Sequence, residues 1–129
     1  MWSAKERGRC ERVGLFYCTF REPGLEEVGN IAFGADNPRS RVKTIYVNNG
    51  AAITGGRFGT GYQKYATPEG IRIGSSKAKV RKAYGKRLWE VSPYGITSFV
   101  LHHPGKVRTE FTFTHGRVYA ISVSKGRGY

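Results

Sequence analysis

From Val107 the chain alternates with a period of two. Val107, Thr109, Phe111 and Phe113 fall on one side of a strand, and Arg108, Glu110, Thr112 and Thr114 on the other. His115-Gly116 supplies a two-residue turn, and residues 117–124 return as the partner strand. Residues 96–102, apolar and β-branched, form the strand before this hairpin. Upstream, residues 16–21 have the aromatic and β-branched character of a strand. Residues 28–33 and 42–47 make a second hairpin around the breaker cluster Gly34-Ala-Asp-Asn-Pro-Arg-Ser40.

The period changes once. Ser75 or Ser76 can cap a helix and Gly85 can end it, and between them Val80, Ala83 and Tyr84, with Leu88 a turn further on, lie on one stripe. Lys77, Lys79, Arg81, Lys82 and Lys86 occupy the rest of the surface, so the segment predicts a short amphipathic helix with its cations in water. The fold class expected is α+β: an antiparallel sheet of five or six strands with a helical module packed on one face. One domain covers 1–129, with N-terminal strands at 16–47, a Gly-rich connector at 48–61, the helical module at 62–85 and a C-terminal meander at 88–124. The inner face is expected to hold Phe33, Val42, Ile45, Val47, Phe99, Leu101, Phe111, Phe113, Val118, Ile121 and Val123. The outward face is expected to carry Lys43, Tyr46, Asn48, His102, Arg108, Thr112, Tyr119 and Ser122.

"RVKTIYVNNG" (41–50) and "RVYAISVSKG" (117–126) share Arg, Val, Ile, Val and Gly at matching positions. In both, the apolar residues stand at i, i+3 and i+5, a break in alternation that predicts a bulge in each strand and hints at duplication.

Charge narrows the partner. Lys and Arg number 22 against 9 Asp and Glu, a net +13, which favours anionic partners such as nucleic acid, anionic lipid, cell-wall polymers or an acidic protein. The cations run from Lys5 to Arg127, a spread that also serves solubility. No apolar run is long enough to span a bilayer, and the first residues lack the apolar core of a signal peptide. The chain is therefore cytosolic, or its signal has been removed. Cys10 and Cys18, with Val13-Gly14 midway, can bridge across a tight hairpin or remain free thiols; a bridge implies an oxidising compartment.

Candidate chemistry is thin. The glycines at 55, 56, 59 and 61 lack both the Gly-Lys-Ser/Thr ending of a phosphate loop and the dinucleotide order, so the stretch reads as a linker. Asp36 sits in a turn beside Asn37-Pro38, where aspartate is favoured for its own hydrogen bonds. Glu90 and Glu110 can be weighed as a glycosidase-like pair, and His102 or His115 as a partner of a cysteine, but no nucleophile motif flanks them. The expectation is a protein that is not an enzyme and needs no cofactor or metal. Nucleic-acid binding is the alternative: Tyr46, Phe58, Tyr62, Tyr65 and Tyr119 stand near Lys or Arg as stacking platforms do, though no recognised nucleic-acid motif is present.

The run Thr67-Pro-Glu-Gly-Ile-Arg-Ile-Gly-Ser-Ser76, with Val80 and Tyr84-Gly85 after it, resembles a segment of small secreted bacterial proteins of the β-lactamase-inhibitory-protein-like class. The small lipoprotein of the outer-membrane β-barrel assembly machinery shares that architecture. Phe111, Phe113, Gly116, Val118, Ile121 and Val123 match the ending of the same pattern, so the resemblance covers about residues 62–124. It implies a helical module followed by an antiparallel sheet. It also implies a non-catalytic protein of the cell envelope or exterior that binds other proteins or envelope components, and the net charge of +13 narrows the expected partner to an acidic protein or anionic envelope component. The inhibitors' own contact loops have no counterpart here. On the outward face the candidate contacts are Lys43, Tyr46, Arg108 and Tyr119, with the tyrosines as anchors and the cations as steering charges.

Overall fold

The computed structural model describes residues 9–13, 15–20, 29–37, 39–51, 55–56, 61–92 and 95–126, with side chains from residue 18 onward. Phe58, weighed above as a stacking platform, lies outside them. The strands are β1 (Arg9–Val13), β2 (Leu15–Phe20), β3 (Asn30–Ala35), β4 (Thr44–Asn48), β5 (Leu88–Val91), β6 (Ser98–His103), β7 (Val107–Thr114) and β8 (Arg117–Lys125). They form one antiparallel sheet of eight strands, in the order β1-β2-β3-β4-β8-β7-β6-β5, rather than five or six. The two additions are β1, which hairpins onto β2, and β5, a four-residue edge beside β6. Helix is confined to α1 (Lys77–Tyr84) and the 3-10 turn Gly85–Arg87 that follows it.

The cap signals for α1 hold, but the helix fills only 77–84 of the module expected over 62–85, and Leu88, expected on its stripe, opens β5. Ser76 is the N-cap, its hydroxyl accepting from the Lys79 N–H at 3.1 Å, and Gly85 ends the helix at φ 56°. Backbone bonds then fasten the helix to the sheet. The N–H of Gly74 donates to Val118 O at 2.8 Å, that of Val118 to Ser75 O at 2.8 Å, and that of Lys77 to Gly116 O at 3.1 Å. The helix entrance is thus laced to the β7–β8 turn, where His115 and Gly116 both take positive φ as a tight hairpin requires.

Val80 and Tyr84 bury against the sheet. The Tyr84 ring stacks on Phe111 at 5.5 Å between centroids, and its hydroxyl donates to Glu69 Oε2 at 2.9 Å while lying 2.8 Å from Thr67 Oγ1. Phe99 meets Phe113 edge-on at 4.7 Å. Arg81 lies over the Phe99 ring and Lys77 over Phe113, so two helix cations roof the core through their stems and cation–π contact. The core also takes Tyr62, Ile71 and Ile73 from the segment entering α1. Tyr62, weighed above as a stacking platform, is a core side chain.

Register sorts the rest. Cross-strand partners share a face, so the row Phe33–Ile45–Val123–Thr109–Leu101–Leu88 lies on the helix side, as does Ile31–Val47–Ile121–Phe111–Phe99–Glu90. The expected inner residues that lie within strands fall on that side, but Ile45 and Val123 are 42% and 37% exposed; Val42, 49% exposed, precedes β4 and lies outside the strand register. The physical reason is coverage: α1 is only eight residues long and its described side-chain contacts with the sheet fall on β5, β6 and β7, leaving the outer ends of β4 and β8 bare. The bulge expected in β8 is present. Thr112 pairs with Ala120 and Phe113 with Val118, leaving Tyr119 as the extra residue. The equivalent position in the first segment is Lys43, which lies just before β4, and β4 itself pairs without a shift to both neighbours.

Candidate functional site

The helix-free face carries the other parity: Ala32, Tyr46, Ser122, Glu110, Val100 and Trp89 form one row across six strands, and Gly34, Thr44, Ser124, Arg108 and His102 the next. Tyr46 is on β4 and Tyr119 on the β8 bulge, which sets Tyr119 within electrostatic reach of Tyr46. Both are half-buried. Burial pushes the Tyr46 phenol above the ordinary tyrosine range, and the neighbouring Tyr119 and Glu110 add to the rise against a hydrogen bond from Asn48. Burial, then Glu110, raises Tyr119 as well. The two phenols therefore stay protonated and keep an O–H donor at any physiological pH.

The two expected steering charges are placed differently. Arg108 shares the tyrosines' face, but it is only 9% exposed, and its guanidinium lies 4.0 Å from Glu110. Ala32, Ser98, Val100 and Ala120 on the same face are buried too, so its middle is closed rather than wet. Lys43 precedes β4. Its ammonium is 2.7 Å from Asp36, while its backbone bonds Gly34 O and the Lys125 N–H. It lies outside the β4 register, so no cross-strand partner assigns it a face. The sheet thus gathers Tyr46, Tyr119 and Arg108, while Lys43 is held in an exposed ion pair.

Among the exposed cations, a group lies on the helical module. Lys79, Lys82 and Lys86 stand at intervals of three and four, so they line one exposed stripe, and none has an acidic partner among the described residues. Like charges at this spacing disfavour the helix slightly, and the signal was legible in the sequence as the cationic surface of an amphipathic segment. Trp89, 65% exposed and edge-on to the His102 ring at 5.6 Å, is an aromatic contact candidate that the sequence reading passed over.

The candidate catalytic pairings are separated. Glu90 lies on the helix side of the sheet and Glu110 on the other, because their strand positions have opposite parity. Cys18 and His102 also occupy opposite faces, five strands apart, or about 24 Å at ~4.8 Å per strand. Among the described residues no group of three or more His, Cys, Asp or Glu is placed to hold a metal. No described helix is long and apolar enough to cross a membrane. In the β1–β2 register, Cys10 stands directly opposite Cys18, and no free cysteine occurs among the described residues. Comparison with protein-family models, curated proteins and solved structures finds no significant match for this chain.

Proposed function

We propose that this chain is a non-catalytic binding domain that acts outside the cytoplasm and engages an acidic protein or anionic envelope component. The observation that carries the reading is the Tyr46–Tyr119 pair on the helix-free face, held together by the β8 bulge, with both phenols kept neutral. Half-buried tyrosines give rigid contact area at low entropic cost and a hydrogen-bond donor suited to carboxylate or phosphate oxygens. A net charge of +13 supplies long-range attraction without requiring any one steering residue. The resemblance to β-lactamase-inhibitory-protein-like proteins and the facing cysteines of β1 and β2 support an oxidising location, with Cys10 and Cys18 bridged.

Poly-L-glutamate, followed by surface plasmon resonance, is a direct probe. Tyr119→Ala is expected to speed dissociation, while doubling the salt slows association in the wild type. Unchanged dissociation in Tyr119→Ala contradicts the assignment of this face. A second reading, nucleic-acid binding, is favoured by the exposed stripe Lys79, Lys82 and Lys86, which has no acidic partner among the described residues and whose spacing suits a phosphate backbone. It is distinguished by salt dependence, as described at the close of the Discussion.

A further inference from the structure

The sheet has two edges, β1 and β5. An edge strand presents unpaired backbone N–H and C=O groups, and proteins guard such edges with charge, proline or bulges. β1 is guarded: Arg9, Glu11 and Arg12 are three charges in five residues. β5 reads Leu-Trp-Glu-Val, and its one charge, Glu90, is matched by Arg81 of α1 at 3.5 Å. Both sides of this unguarded edge offer apolar surface. Trp89 and Val91, 65% and 38% exposed, lie on the helix-free side. On the helix side an open hollow of about 320 Å³ is lined by Arg81, Gly85, Lys86, Leu88, Glu90 and Phe99. Its apolar lining is half-buried Leu88, with Phe99 beneath Arg81. Its rim is cationic, and Lys82 and Lys79 continue that charge along α1.

We propose that β5 is a docking edge for an extended segment of a partner protein, apolar at its centre and acidic at its ends, which adds to the sheet as a ninth strand. Main-chain hydrogen bonds to β5 hold it, and its alternate side chains divide between the two surfaces. One set enters the hollow over Leu88 and Phe99, the other packs on Trp89 and Val91, and the acidic ends meet Lys86 and Lys82. A second copy of this chain is disfavoured as the occupant, because edge-to-edge pairing brings two cationic rims together on molecules that each carry +13. The inference rests on the reading that the partner is an acidic protein, but its contact is the sheet edge rather than the tyrosine face.

The test uses the full chain, labelled with nitrogen-15, and a heptapeptide with a Val-Leu-Val centre flanked on each side by Asp and Glu. A control peptide carries Pro at its central position. The expected result is binding with slowed hydrogen exchange at amides of residues 88–91, and affinity at least about tenfold weaker for the Pro peptide and for Trp89→Lys. The thermal midpoint of Trp89→Lys should stay near wild type because the side chain is exposed, and Val91→Lys provides a second edge-blocking variant. Poly-L-glutamate binding that survives Trp89→Lys while peptide binding is lost separates this edge from the tyrosine face. Four outcomes overturn the proposal: no peptide binding at ~1 mM; equal binding of the Pro peptide; concentration-dependent self-association that Trp89→Lys abolishes; or a single-stranded oligonucleotide that displaces the peptide and protects the same amides.

Discussion

Replacing Phe111 by Ala removes the side chain on which helix and sheet converge. Phe111 has no exposed surface, stacks on Tyr84 at 5.5 Å, and stands opposite both Phe99 and Ile121. Truncating a fully buried phenylalanine costs ~3–5 kcal/mol, the spread reflecting how far the site can collapse. Collapse is limited here, because the neighbours above and beside the ring are held by the helix lacing and by two strand ladders. The lost aromatic stack accounts for ~0.5–1.5 kcal/mol of that cost. We therefore expect ~4 kcal/mol, a large fraction of the ~5–15 kcal/mol by which a domain is stable. The thermal midpoint should fall by ~10–20 °C. Urea unfolding followed by circular dichroism measures the change, with Val123→Ala as the internal control. Val123 lies on the same face of the sheet but is 37% exposed, and its truncation should cost under ~1 kcal/mol. A loss below ~1 kcal/mol for Phe111→Ala, or costs of equal size for the two variants, refutes the placement of the core.

Other perturbations follow from single sites. Ser76→Ala removes the cap on the Lys79 N–H and should cost ~1 kcal/mol in urea unfolding. Gly29→Ala combines φ 75° with a Cβ that would fall 2.3 Å from the Asn48 carbonyl oxygen, so it should cost well over ~2 kcal/mol. Gly105→Ala, at φ 79° with open space around it, should cost only ~1–2 kcal/mol. Tyr46 has a folded pKa above its unfolded value of 10.0, so its contribution to stability is complete below pH 10 and is lost as pH rises through the folded value. Unfolding measured from pH 9 upward should show that loss in wild type and not in Tyr46→Phe. Glu69 has the opposite sign: the Tyr84 hydroxyl holds its carboxyl below the ordinary glutamate range, so its contribution is present above that range and fades as pH falls through the lowered value. Tyr84→Phe should flatten the acid limb of the stability curve.

What the sequence could reveal depended on how local the signal was. The β7–β8 hairpin and α1 were legible because period, caps and turn residues agree within a few positions. β5 was missed because four residues are too few to establish a period, and β1 because its charges mask the alternation. Ile45 and Val123 were expected inside because patterning gives a face but not what covers it, and the short helix leaves that end of the face bare; Val42 was expected inside as part of a strand that in fact begins at Thr44. Arg108 was expected in water because its type is rarely buried, yet the middle of the helix-free face closes around it. The spacing of Val118, Ile121 and Val123 foretold the bulge that carries Tyr119, whereas its proximity to Tyr46 is a matter of strand order, β4 beside β8, which periodicity does not encode.

The measurement that bears most directly on the binding reading is a titration of the labelled protein with poly-L-glutamate and with a single-stranded oligonucleotide, each at ~0.05 and ~0.2 M salt, bracketing a Debye length of about 10 Å. The account predicts that poly-L-glutamate binding persists at the higher salt and weakens on Tyr119→Ala, while oligonucleotide binding vanishes there, as nonspecific attraction to a +13 surface does. Oligonucleotide binding that survives the higher salt and is lost on Tyr46 or Tyr119 truncation would contradict it.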